Sequence, residues 1–152
     1  MPDKTSLTER YERIYVQLKE LLTPLADRTA RMASAVALLH HKMPHYFWTG
    51  FYRLEKGELI VGPYQGSLAC IHLPRGTGVC WAGITARKTI VVPDVHKFPG
   101  HIACDSRSRS EIVVPLLDAS GEVWGVIDVD SEHPSAFSEI DQAGLERIAT
   151  LI

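Results

Sequence analysis

The sequence predicts an α+β fold built on one main sheet, and three observations predict it. Apolar residues recur at helical spacing before Pro44, short β-favouring runs punctuated by glycine and proline follow it, and a helical pattern returns near Ser138. Taking the elements in order, Leu7, Tyr11, Ile14, Leu18, Leu21 and Leu25 step by three and four, which predicts an amphipathic helix bent or ended by Pro24. Asp27 is placed to cap a second helix from about Arg28 to Lys42, rich in alanine and leucine. The aromatic run from Tyr46 to Tyr52, the turn Glu55-Lys56-Gly57 and the run Glu58 to Val61 form a hairpin by their punctuation. Leu68 to Leu73 is a further short strand, Val79 to Lys88 a short helix opening near Gly78, and Thr89 to Val92 a brief strand stopped by Pro93-Asp94. No period holds from Val95 to Ser110, and a loop of that length inside a domain tends to be functional. Glu111 to Leu117 and Val123 to Val129 read as strands joined at Asp118-Ala119-Ser120-Gly121, and Ser138 caps a last helix that turns Ile140, Leu145 and Ile148 inward. The helical pattern is still running at Ile152, so a few further residues are expected after it.

Size and charge narrow the function classes. The 152 residues fit one domain, expected to span 1–152, with helices over about 6–42, the sheet and its pocket over about 46–130 and the last helix from about 138. A net charge of −2 argues against a nucleic-acid partner. The charged N-terminal stretch lacks the apolar core of a signal peptide, and no apolar run reaches the roughly 18 residues of a membrane span. The expected compartment is the cytosol, where three cysteines, Cys70, Cys80 and Cys104, suit reactive thiols better than structural staples.

Strand alternation singles out candidate acids. Along the strand from Glu122 to Asp130, one face carries Val123, Gly125, Ile127 and Val129, and the other carries Trp124, Val126, Asp128 and Asp130. Glu111 heads the face of the preceding strand that it shares with Val113, Pro115 and Leu117. Three acids converging over a sheet suit a substrate ammonium or a proton donor held by like-charged neighbours, whereas strand-end acids can also be merely solvated. Cys80 falls in the first turn of a helix, where the dipole favours a thiolate, and Cys104 lies in the long loop near Arg107 and Arg109. Cys70, in a strand, is by default a small buried hydrophobe. His96, His101 and Cys104 share a loop, but their spacing matches no familiar zinc pattern, and no metal is expected. His40, His41 and His45 are read as a polar helix terminus. Trp48 and Tyr52, four apart on one strand, are core by default but can line an apolar slot.

The run GPYQGSLACIHLPRGTGVCWAGITARKTIVVPDVHKFPGHIACDSRSRSEIVVPL, followed by GEVWGVIDVDSEHPSAFSEID, resembles the free methionine-(R)-sulfoxide reductases, a GAF-domain family acting on the free amino acid. The likeness extends from about Tyr46 to the C-terminal helix. It implies a GAF-like single domain with a central antiparallel sheet, helices packed on one side, and a pocket-covering loop and helix on the other. It also implies that Cys104 attacks the sulfoxide, and that Cys80 and Cys70 regenerate it through a disulfide, with the resolving thiol left open between them. Glu111, Asp128 and Asp130 resemble the acids that hold the sulfoxide oxygen and the amino group. Trp48 and Tyr52 resemble the walls that receive the S-methyl end. The implied reaction passes through a cysteine sulfenic acid, needs no cofactor, draws electrons from a dithiol reductant such as thioredoxin, and repairs an oxidative lesion. A homodimer along the N-terminal helices is compatible with the sequence. Two other readings compete: a GAF sensor that binds a ligand without turning it over, and a scaffold whose thiols and acids are incidental.

Overall fold

The structure, a computed structural model, describes residues 3–152; the first two residues of the expected domain lie outside the described residues. Helix α1 (Lys4–Leu22) begins at Asp3, whose carboxylate accepts from the amides of Thr5 and Ser6. Its inward face is Leu7, Tyr11, Ile14, Leu18 and Leu22. Leu21 and Leu25, placed on that face by the spacing, are 59% and 53% exposed. The helix stops at Leu22, so Leu25 is off its face, and the step after Leu18 is four rather than three. Arg31 fixes this corner by donating to the carbonyls of Leu22, Leu25 and Leu151. Helix α2 (Arg28–Lys42) is capped by Asp27 as expected.

Six strands follow: β1 (Trp48–Glu55), β2 (Glu58–Gln65), β3 (His72–Leu73), β4 (Ile90–Val92), β5 (Ser110–Leu117) and β6 (Val123–Ser131). They form one antiparallel sheet in the order β3-β2-β1-β6-β5-β4. Helix α3 (Gly78–Ala86) sits between β3 and β4, a single 3-10 turn (Val95–Lys97) interrupts the long loop, and α4 (Glu139–Ala149) closes the described chain. The fold is therefore the α+β arrangement expected. The expected strand from Leu68 to Leu73 shrinks to two residues: Leu68 and Ile71 are exposed, and Cys70 lies in a loop rather than in a buried strand.

Alternation sorts the two faces of the sheet. Phe51, Ile112, Val114, Leu116, Ile127 and Val129 face α1, α2 and α4 in one core. Trp48, Tyr52, Val113 and Val126 face α3 and the loops in the other. One residue breaks the pattern. Leu116 pairs with Gly125 but Leu117 pairs with Val123, and this bulge turns Trp124 to the helix side, where the Arg28 guanidinium covers its ring at 3.9 Å. Trp124 therefore does not share a face with Asp128.

The helix layer is keyed by a buried polar group that the sequence reading did not find. Asp141, fully buried in α4, accepts from Tyr11 (2.7 Å), His45 Nε2 (2.8 Å) and the Ser138 amide (2.8 Å), the last as half of a capping box. His45 is thus a buried partner and not part of a polar helix terminus. Burial pushes the Asp141 carboxyl up, but the bonds from His45, Ser138 and Tyr11 outweigh it and hold the group below its ordinary range. Removing one partner of such a pair typically costs about 3–5 kcal/mol, and Asp141→Ala should destabilise the domain by that order in urea unfolding. Because the folded pKa is depressed, the carboxylate's contribution is present above the unfolded pKa, about 3.9, and fades as pH falls through the folded value. The difference between wild type and variant should accordingly shrink below about pH 4.

Candidate active site

The face of the sheet opposite α1, α2 and α4 carries a cleft enclosing about 600 Å³ of empty space, its open mouth included. Its floor is built by strand register. Glu111 on β5 pairs across the ladder with Asp130 on β6, and Asp128 lies two residues earlier on the same face of β6. Glu111 and Asp128 are 5% and 6% exposed. Asp130 is partly buried and accepts from the Ser108 hydroxyl at 2.6 Å. Asp128 Oδ1 is buried with no hydrogen-bond partner among the described residues. All three acids line the cleft, as the alternation predicted, and the merely solvated reading of Asp128 is set aside. Among the described residues no lysine or arginine lines the cleft.

Electrostatics follows from that imbalance. Burial, then Asp128 and Asp130, push the Glu111 carboxyl well above its ordinary range. Burial and the Asp128 charge do the same to Asp130, partly offset by Ser108. Asp128 is raised by burial, and contacts with Glu111 and Cys80 counter the shift. Burial and mutual repulsion thus favour the protonated form of these acids, which suits a group that gives a proton to a substrate.

The walls come from β1. Trp48 and Tyr52 stack at 6.0 Å between ring centroids. The Trp48 ring lies across Gly50, where an added Cβ would meet it at 2.4 Å, so glycine at this position lets the indole lie flat. Both side chains also use their polar ends: Trp48 Nε1 donates to the Ser67 carbonyl (3.0 Å) and Tyr52 to the Cys70 carbonyl (2.8 Å). They are therefore walls and, equally, anchors for the loop that carries Cys70.

At the mouth, Cys70 and Cys104 form a disulfide, with 5.6 Å between their Cα atoms. Cys104 is exposed and Cys70 partly so. Arg107, expected to act on Cys104, is committed to Asp105 through its backbone amide and guanidinium, with the guanidinium over the Phe47 ring at 4.7 Å. Cys80 is a free, buried thiol. Its position near the start of α3 does not make it a thiolate: burial, followed by Asp128, Glu111 and Asp130, pushes it well above its ordinary range. Cys80 Sγ, Glu111 and Asp128 offer donor atoms within 4.8 Å of one another.

The sequence weighs His101 only as a metal ligand and gives Ser108 no role, yet both reach the cleft. His101 hangs from the loop over the acids, its Nδ1 3.9 Å from Glu111 Oε1, with burial and then His96 lowering its basicity. Ser108 is the hydroxyl on Asp130. Both lie in the stretch without periodicity, where no pattern orients a side chain.

An α+β domain with a ligand cleft on the open face of an antiparallel sheet, and a cysteine pair at its mouth, defines a class that the comparisons resolve. The sequence model of the GAF domain family matches residues 17–152. The chain is 38% identical to the free methionine-R-sulfoxide reductase of Escherichia coli over 93% of this chain and 85% of that one. It is 43% identical to GAF domain-containing protein A of Dictyostelium discoideum, over 98% and 94% of the two chains. The crystal structure of a free methionine-R-sulfoxide reductase from Neisseria meningitidis in complex with its substrate superposes with a TM-score of 0.90 at 40% identity, over 99% and 89% of the two chains. The chain belongs to the GAF domain family and, within it, groups with the free methionine-R-sulfoxide reductases. Among the described residues no helix is long and apolar enough to cross a membrane.

Proposed function

We propose that this protein reduces free methionine (R)-sulfoxide to methionine with the thiols of Cys104 and Cys70. The observation that carries the reading is the disulfide between Cys70 and Cys104 at the mouth of a cleft floored by Glu111, Asp128 and Asp130. In the reduced protein the Cys104 thiolate attacks the sulfoxide sulfur, and a protonated acid, best placed as Glu111, gives its proton to the departing oxygen. The protonated oxygen passes to the Cys104 sulfur as the bond between the two sulfurs breaks, so methionine leaves with that electron pair and Cys104 is left as a sulfenic acid. The Cys70 thiol then attacks that sulfur, a disulfide forms and the oxygen departs as water. Two thiols supply two electrons, so the sulfoxide is reduced with no cofactor. A dithiol reductant of the thioredoxin type reopens the bond by exchange, and the part-exposed pair suits such access. The cytosol, which maintains such reductants, is the compartment this chemistry fits.

Recognition of the free amino acid rests on charge. Asp128 Oδ1 lacks a donor and is suited to a substrate ammonium. The start of α3 faces the cleft without a side-chain cap, leaving its first amides for the substrate carboxylate. Trp48 and Tyr52 receive the S-methyl end. A sulfoxide inside a peptide has no free ammonium at that position, so kcat/KM should fall roughly ten- to a hundredfold when the same group is offered in a peptide. The test is turnover with a dithiol reductant on the separate R and S epimers of free methionine sulfoxide. Methionine formed from the R epimer alone is expected. Binding without methionine formation from either epimer would make the domain a sensor instead.

A further inference from the structure

We infer that the floor of the cleft is a binding site for a thiophilic divalent cation, zinc above all, with Cys80 Sγ, Glu111, Asp128 and His101 as its ligands. Three observations meet here. Donor atoms of Cys80, Glu111 and Asp128 already lie within 4.8 Å of one another. Asp128 Oδ1 is buried in the cleft, lacks a partner, and belongs to a side chain only 6% exposed. His101 brings an imidazole from the covering loop, its Nδ1 3.9 Å from Glu111 Oε1. A tetrahedral zinc ion with bonds of about 2.0–2.3 Å holds its ligand atoms roughly 3.5 Å apart, so movements on the order of an ångström bring the Cys80, Glu111 and Asp128 donors to that spacing, and His101 completes the set by a movement of its covering loop. One sulfur, one nitrogen and two oxygens are donors that zinc accepts, whereas magnesium or calcium would reject the thiol.

The charge balance points the same way. Four carboxyl groups and the Cys80 thiol line the cleft, Asp105 at its mouth being paired with Arg107, and among the described residues no lysine or arginine lines it, so a dication would compensate Glu111, Asp128 and Asp130 more fully than a monovalent ammonium. On binding, the Cys80 proton leaves to solvent and the thiolate joins the metal. This ion takes no part in the reaction; it fills the floor of the cleft and bridges it to the covering loop. That it then excludes methionine sulfoxide rests on the proposed function, but its binding does not.

The experiment uses the disulfide form, in which Cys80 is the free thiol and Cys70 and Cys104 offer none. Metal-free protein is titrated with Co2+, followed by the near-ultraviolet thiolate-to-cobalt charge-transfer band, and Zn2+ is then added to displace it. The expected result is a band that saturates at about one ion per chain, is abolished by zinc and is absent from Cys80→Ser. Asp128→Asn and His101→Ala should each weaken Co2+ binding by about tenfold or more. His101 lies in a loop, so its variant keeps the test open should Cys80→Ser fold poorly. No band in the wild type, a band that survives in folded Cys80→Ser, or unchanged affinity in His101→Ala would overturn the assignment. Because no turnover is measured, that failure would leave the proposed reaction standing.

Discussion

Cys104→Ser is expected to abolish methionine formation, by at least about a thousandfold in single-turnover rate, while the reduced domain unfolds as wild type does. The serine hydroxyl is a far weaker nucleophile than a thiolate, and no other thiol has the same access: Cys80 is buried with its proton held, and Cys70 hangs from the opposite loop. The stability comparison must be made in reductant. In the oxidised protein the Cys70–Cys104 bond closes a separation of 34 residues, a crosslink worth about 3–4 kcal/mol in the chain-entropy model, which the variant would lack. In the reduced state an exposed loop substitution should cost no more than about 0.5 kcal/mol. Wild-type turnover in the variant would move the nucleophile to another cysteine.

The acids should separate kinetically. Glu111 is a buried acid whose carboxyl burial and the two aspartates push well above its ordinary range, and Glu111→Gln should lower kcat by about a hundredfold or more with little change in KM. Asp128 offers the orphan oxygen, and a buried charge-assisted contact is worth about 1.5–3 kcal/mol, so Asp128→Asn should raise KM roughly ten- to a hundredfold. Both changes preserve shape, and circular dichroism checks the fold. If both variants kept near-normal kcat/KM, the acids would play no part in the reaction.

The acids were legible in the sequence because a strand has one periodicity and two faces. Glu111, Asp128 and Asp130 fell on one face by counting, and the ladder pairs Glu111 with Asp130. The same counting misplaced Trp124, since a bulge inserts a residue without any mark that alternation can read. The helix caps Asp27 and Ser138 were legible for an equally local reason, a short polar side chain just ahead of an apolar period. What was not legible depends on contacts between distant segments. Asp141 gathers Tyr11 and His45 from two other parts of the chain, 130 and 96 residues away in sequence. The state of Cys80 was misread because the helix start argues for a thiolate, whereas burial beside three acids argues against it and wins. The choice between Cys70 and Cys80 as partner of Cys104 also lay beyond the residues alone, because it turns on where the loop from Gly66 to Ile71 is held by Trp48 and Tyr52.

One measurement bears most directly on the central claim. Fully reduced protein, freed of reductant, is mixed with free methionine (R)-sulfoxide, and methionine is quantified alongside peptide mapping of the cysteines. The predicted result is about one methionine per chain together with a new crosslink joining the Cys70 and Cys104 peptides, and Cys80 still alkylatable after unfolding. Three thiols untouched and no methionine formed, under conditions where the sulfoxide is shown to bind, would contradict it.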